Sequence, residues 1–246
     1  MLLLAQTRRR YMKYPAIRNM YFILTHQCNL ECKYCFVNQS QDTMSYEVAC
    51  KGIDFLVKDL PEGKKAYVNF FGGEPLLKWS EVIVPTVFYA EETYPNKVKF
   101  NITTNCVLLN KEKAEFLIKH DIGILTSFDG CKETQDYNRP FHNGEGSYNI
   151  VYNNIMNFKK INGSLATMRT TVYPHTAYLM FENYMQAIEM GYKRLFFVPD
   201  SFSDFTEEEA AAYEKALFKI ADHYIEYWNT YNKMPIEIGN MEKELP

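Results

Sequence analysis

The chain has 246 residues, 47% hydrophobic and 23% charged, with a formal net charge of -3 from 27 basic and 30 acidic side chains. That apolar content excludes a disordered chain, which lacks the surface to offset its ordering entropy. The charge balance excludes a nucleic-acid binder that works by charge alone. Met1-Leu2-Leu3-Leu4-Ala5 is far short of the ~20 apolar residues of a membrane span. It meets Arg8-Arg9-Arg10 at once, the reverse of the order in an export signal. The expectation is a cytoplasmic protein with no membrane and no nucleic-acid partner, whose six cysteines are ligands or reduced thiols. Length favours one domain.

Residues 1–19 read as an N-terminal arm. Met20 to Thr25 is an apolar run of strand formers, followed by a cysteine-rich loop. A helix is expected over about 45–60, with Val48, Phe55 and Leu56 on its apolar side and Gly52 and Asp59 as their partners, ended by Pro61-Glu62-Gly63. Ala66 to Phe71 is a second strand, closed by Gly72-Gly73. A helix over 80–94 is broken by Pro95-Asn96. Residues 98–103 alternate as a third strand, 111–120 are helical, and 122–128 form a fourth strand. Turn formers fill 131–146, so a loop is expected there. A helix over 147–161 stops at Asn162-Gly163, a fifth strand covers 165–173, and a helix over 179–190 stops at Gly191. A sixth strand covers 194–198. Thr206 with Glu207, Glu208 and Glu209 caps a last helix running to about 228.

Strand and helix therefore alternate six times. This predicts an α/β fold with parallel strands and right-handed crossovers, either an open doubly wound sheet or an incomplete barrel. In both, active groups belong just after the strands.

Three segments meet that condition. Cys28, Cys32 and Cys35, spaced C-x3-C-x2-C, follow the first strand. Three thiolates on one loop can hold three irons of a [4Fe–4S] cube and leave the fourth open; three legs of a zinc site are the alternative. Gly72-Gly73-Glu74-Pro75 follows the second strand, either as a structural turn or as a backbone approach to a ligand with a carboxylate beside it. Thr103-Thr104-Asn105 and Ser127-Phe128-Asp129-Gly130 follow the third and fourth strands. Singly these are turn or cap residues; together they suggest one ligand site.

The paired cysteine and Gly-Gly-Glu-Pro motifs resemble those of the radical S-adenosylmethionine (SAM) superfamily over residues 20–200. Thr-Thr-Asn, Ser-Phe-Asp-Gly and Asp136-Tyr137-Asn138-Arg139-Pro140-Phe141 are most similar to the peptide and sulfatase maturases with a C-terminal SPASM or twitch domain. The resemblance implies a partial (β/α)6 TIM-like barrel, with Cys28, Cys32 and Cys35 as ligands of a [4Fe–4S] cluster. It implies SAM chelated at the open iron, with its amino group held by Gly72, Gly73 and Glu74. Pro75 completes that motif, and Tyr34 would lie near the adenine. Thr104, Asn105, Ser127, Asp129 and Arg169 become candidates for the SAM carboxylate and ribose. An external electron donor of flavodoxin or ferredoxin type would reduce the cluster. The resulting 5′-deoxyadenosyl radical would abstract hydrogen from a peptide or protein substrate.

No cysteine follows Cys131, so residues 201–246 read as a C-terminal helix and tail, the possible start of an absent auxiliary domain. Val37 and Phe71 replace polar residues frequent in sulfatase maturases, which favours a peptide maturase. A glycyl-radical enzyme activase and a truncated peptide-binding remnant are the rival readings. His26 and His142 sit near the strand ends, and His120 ends a helix. Tyr224, Tyr227 and Tyr231 read as packing.

Overall fold

A computed structural model describes residues 17–239. Seven strands are expected to share one sheet only if the helices between them return the chain to the same end, and they do. The strands are β1 (Asn19–Thr25), β2 (Ala66–Gly72), β3 (Val98–Thr104), β4 (Gly123–Ser127), β5 (Leu165–Val172), β6 (Tyr192–Pro199) and β7 (Glu237–Ile238). They pair in sequence order, every neighbour parallel, in one open sheet. The helices are α1 (Tyr46–Lys58), α2 (Val84–Thr93), α3 (Lys111–Lys119), α4 (Lys132–Asn138), α5 (Tyr148–Asn162), α6 (Met180–Met190) and α7 (Glu207–Tyr231). The parallel open sheet with helices between its strands is a partial barrel, and its strand C-termini share one mouth.

Phe22 and Leu24 of β1 and Val68 and Phe70 of β2 are buried towards the helices. Helix α1 comes so close that a Cβ on Gly52 would lie 2.7 Å from the Phe22 ring. The buried side of α1 is Ala49, Ile53, Leu56 and Val57. The sequence reading had placed Val48 and Phe55 there, but both are more than half exposed. They lie one stripe over from the 49–53–56 face, so apolar character alone misjudged the helix rotation.

Three further differences concern local structure. The helix expected over 80–94 opens with a wide turn (Trp79–Ile83) before α2, and an unforeseen 3-10 turn (Pro75–Lys78) precedes it. The expected loop over 131–146 contains α4. Its buried Gln135 and Asn138 bond to neighbouring segments, and these tertiary bonds outweigh the turn formers. The short β7 was not foreseen; Tyr224 on α7 donates to the Ile236 carbonyl at 3.0 Å and holds the approach to it. The capping box of Thr206 and Glu209 starts α7 as its sequence predicts. Arg8-Arg9-Arg10, in the arm expected over 1–19, lie outside the described residues.

Candidate functional site

The cysteine loop leaves β1 and is closed at its base by backbone bonds. His26 N–H donates to the Asp42 carbonyl at 3.1 Å and Met44 N–H to the Leu24 carbonyl at 2.9 Å. Its far side is held by α4 and the residues after it: Glu31 N–H reaches the Pro140 carbonyl at 2.8 Å and Lys33 N–H the Asn138 carbonyl at 2.9 Å. His142 contacts the Cys28 carbonyl at 3.0 Å, and His26 the Ser40 hydroxyl at 3.4 Å. Both histidines therefore address the loop's scaffold. His120 lies elsewhere, beside Glu91 at 2.8 Å.

The thiols of Cys28, Cys32 and Cys35 line one cavity of about 240 Å³ at the mouth of the sheet. Cys28 and Cys32 are half-buried and Cys35 is exposed. Burial pushes the Cys28 thiol up to about 11 and the Cys32 thiol up to about 12. Without a bound cation these are neutral thiols at pH 7; a coordinated metal would deprotonate them. Among the described residues no three His, Cys, Asp or Glu side chains converge on one ion. A [4Fe–4S] cube takes each of three thiolates at a different iron. Cys50, Cys106 and Cys131 are free as well, with Cys106 buried and Cys131 against the Thr134 hydroxyl at 3.3 Å.

Gly72, Gly73 and Glu74 line the same cavity. The glycines are needed first by the cysteine loop. A Cβ on Gly73 would lie 2.1 Å from the Gln27 carbonyl oxygen, and one on Gly72, at φ 129°, 2.4 Å from that of Thr25. The Gly73 and Glu74 N–H groups donate to those same carbonyls, Thr25 at 2.8 Å and Gln27 at 2.9 Å. Pro75, buried and outside the cavity lining, starts the turn where its missing N–H costs nothing. The Glu74 carboxylate is also buried. Oε1 accepts from Thr104 Oγ1 at 2.8 Å and Leu76 N–H at 3.0 Å, and Oε2 accepts from Asn105 N–H at 2.8 Å. Burial pushes its pKa up to about 7, and these neutral donors offset only part of that.

Thr104, Asn105, Ser127 and Arg169 also line the cavity, so β3, β4 and β5 each contribute a polar group. Asp129 does not line it; four protein groups hold its carboxylate. Oδ1 meets the Arg139 guanidinium and Thr171 N–H, both at 3.1 Å. Oδ2 accepts from Tyr34 OH at 2.5 Å and Asn138 Nδ2 at 3.1 Å. Arg139 lies 5.2 Å from the Tyr34 ring centroid, and both side chains line the cavity. Burial disfavours the Arg139 cation, but Asp129 more than compensates and raises its pKa. Burial likewise raises that of Tyr34. Sequence reasoning quoted Arg139 within a matching stretch but gave it no role. The signal was a lone arginine four residues after Gln135, following an Asp-Gly turn. Asp200, after β6, was also missed. On the rim stand Phe36, 61% exposed, and Phe202, 80% exposed, aromatic side chains with little of their own chain to cover them.

Residues 22–188 match the family model of the radical SAM superfamily. An uncharacterised protein of Methanocaldococcus jannaschii is 34% identical over 133 residues, 53% of this chain and 45% of the relative. The radical SAM cyclopropyl synthase TigE of Paramaledivibacter caminithermalis is 26% identical over 49% of this chain and 29% of its own. The solved structure of native anSMEcpe with bound AdoMet and Cp18Cys peptide superposes with a TM-score of 0.78 at 22% identity. That match covers 91% of this chain and 63% of the other. The chain thus spans less than half the length of these curated relatives. Among the described residues no helix is long and apolar enough to cross a membrane.

Proposed function

This chain belongs to the radical SAM superfamily, and from that premise we propose that Cys28, Cys32 and Cys35 hold a [4Fe–4S] cluster and that SAM binds beside it to modify a peptide or protein side chain. The observation that carries the reading is the convergence of three thiols from one loop with the Gly72-Gly73-Glu74 turn on a single cavity. The donor set fits the cluster, being three thiols on one short loop that line a single cavity. When bound, the cluster and SAM supply radical hydrogen abstraction.

The chain's own residues bind, orient and exclude water. Gly72 and Gly73 let the β2 turn press on the cysteine loop, and Glu74 ties that turn to the end of β3. Ser127 and Arg169 offer hydroxyl and guanidinium groups to the carboxylate and ribose of SAM. The Thr104 hydroxyl is engaged by Glu74 and the Asn105 side-chain amide by Asn29, so these two shape the cavity wall from β3. Tyr34 and Arg139 form an aromatic and cationic wall for its adenine end. Asp129 works through these two, because its oxygens are taken. The radical SAM body is assigned to residues 20–200, and 201–246 to the C-terminal helix and tail. Phe36 and Phe202 give the rim an apolar grip suited to a substrate side chain. A fold neighbour solved with AdoMet and a peptide supports a peptide partner. An external flavodoxin or ferredoxin supplies the electron.

Anaerobic reconstitution with iron and sulfide, followed by chromatographic detection of 5′-deoxyadenosine from SAM under reductant, tests the reading. Cleavage in the parent protein that is lost in Cys28→Ala, Cys32→Ala and Cys35→Ala is the expected result. A parent protein that takes up no cluster, or a cysteine variant that cleaves SAM normally, overturns it.

A further inference from the structure

Four acidic or basic side chains line the mouth cavity: Glu74, Arg139, Arg169 and Asp200. Glu74 is held by three neutral donors, and Arg139 is paired with Asp129. Arg169 is the guanidinium offered to the SAM carboxylate. Asp200 is left without such a role. It directly follows β6 and is buried. Its N–H donates to the Val172 carbonyl at 3.0 Å, which carries the pairing of β5 and β6 one step further. Its Oδ1 accepts from the Phe202 N–H at 3.2 Å, which fixes the carboxylate. Its Oδ2 is buried and has no partner among the described residues. A carboxylate oxygen buried without a donor costs stability, and in the wall of a binding cavity the missing donor belongs to a ligand.

We infer that Asp200 selects the substrate, by taking the charged head of a lysine or arginine side chain carried by the peptide. The inference rests on the reading that this cavity holds SAM and a peptide. Depth separates Asp200 from the SAM groups. Arg169 stands in register with Phe196, four residues before Asp200. At about 3.3 Å per strand residue, Asp200 lies roughly 13 Å nearer the rim. The guanidinium is therefore at the floor of the cavity and the free carboxylate at its lip. Beside Asp200 on the lip stands Phe202, an exposed ring tied to it through the Oδ1 bond. Phe36, from the cysteine loop, is the other exposed aromatic that lines the cavity. A carboxylate next to an aromatic face suits an ammonium or guanidinium group. The ring covers the aliphatic stem and attracts the cation, and the carboxylate accepts its hydrogen bonds. An acidic side chain would be repelled there, and an apolar one would leave Oδ2 unpartnered, so the same group rejects both.

The test is a peptide selection on the full chain. Reconstituted protein with SAM bound and the cluster unreduced is immobilised anaerobically and offered short randomised peptides. Recovered sequences are counted against the input. The parent is expected to enrich lysine and arginine at one position by roughly fivefold, the ratio that about 1 kcal/mol of ion pairing gives. Asp200→Asn should abolish the enrichment, and Phe202→Ala should lower it by about half. Asparagine keeps an Oδ1 for the Phe202 N–H and removes the charge, so the ligand-free variant should melt no lower than the parent and bind SAM as tightly. Lysine and arginine enrichment that survives in Asp200→Asn overturns the inference, as does a parent that selects acidic or apolar peptides. A lower melting temperature would make Asp200 a structural residue, and weaker SAM binding with unchanged peptide choice would give its oxygen to SAM; each overturns it too. A parent protein that takes up no cluster or retains no peptide overturns the underlying reading instead, so the two failures are distinguishable.

Discussion

The two sides of the mouth cavity are held together by different physics. On the β1–β3 side the cysteine loop, the glycine turn and the end of β3 are joined by backbone bonds and one carboxylate, Glu74, whose three donors are all neutral. On the β4–β5 side a second buried carboxylate, Asp129, is matched by a buried guanidinium, Arg139, as well as by three hydrogen bonds. Both acids are buried, but only Asp129 is in direct contact with a counter-charge. The side that would hold the metal therefore depends on close backbone fit, and the other on charge balance.

That contrast is sharpest in its response to lost charge. Arg139→Ala should destabilise the protein by about 3–5 kcal/mol, because it leaves the Asp129 carboxylate buried and unpaired. Replacing both as Arg139→Met with Asp129→Leu should recover part of that loss. Denaturant melts of the metal-free proteins measure both, and a double variant no better than Arg139→Ala would break the charge-balance account.

Glu74 should instead show itself through pH. Its folded pKa of about 7 lies above the ordinary 4.5, so the folded state favours the proton. Stability from this group is fully present below pH 4.5 and is lost as pH rises through about 7, by about 3 kcal/mol in total. Metal-free protein melted between pH 5 and 8 should follow that slope, and Glu74→Gln should flatten it. An unchanged slope in the variant would assign the pH dependence elsewhere.

Gly73→Val probes the backbone fit. Its side chain would meet the Gln27 carbonyl, next to Cys28. A cost of about 1–3 kcal/mol is expected from overpacking, together with reduced iron uptake on reconstitution. Normal iron with impaired SAM binding would show that the glycine serves the ligand alone. The smallest effect belongs to Tyr34→Phe. It removes one donor from Asp129 and should cost about 1–2 kcal/mol while iron content stays normal.

How far the sequence carried depends on the kind of interaction involved. The six main strands and the placing of Cys28, Cys32, Cys35 and Gly72-Gly73-Glu74 after β1 and β2 were legible, because periodicity and turn chemistry are local, whereas their order in the sheet followed only from the family resemblance. The rotation of α1 was not: Val48 and Phe55 are apolar yet outward, since packing against Phe22 chose the neighbouring stripe. Nor was α4, whose formation depends on bonds that Gln135 and Asn138 make to distant segments. Asp129 looked like a ligand contact, because its partners Tyr34 and Arg139 are far from it or unremarkable in sequence. The glycine pair carried the right location with an incomplete reason, as only the fold brings the Gln27 carbonyl against it.

The central claim is that three cysteines hold a cluster with one iron left open to SAM. Mössbauer spectra of protein reconstituted with ⁵⁷Fe, taken with and without SAM, test it most directly. The account predicts about four irons per chain, one of which changes its isomer shift when SAM is added. Four irons that all ignore SAM, or a protein that retains no iron–sulfur signal, would contradict it.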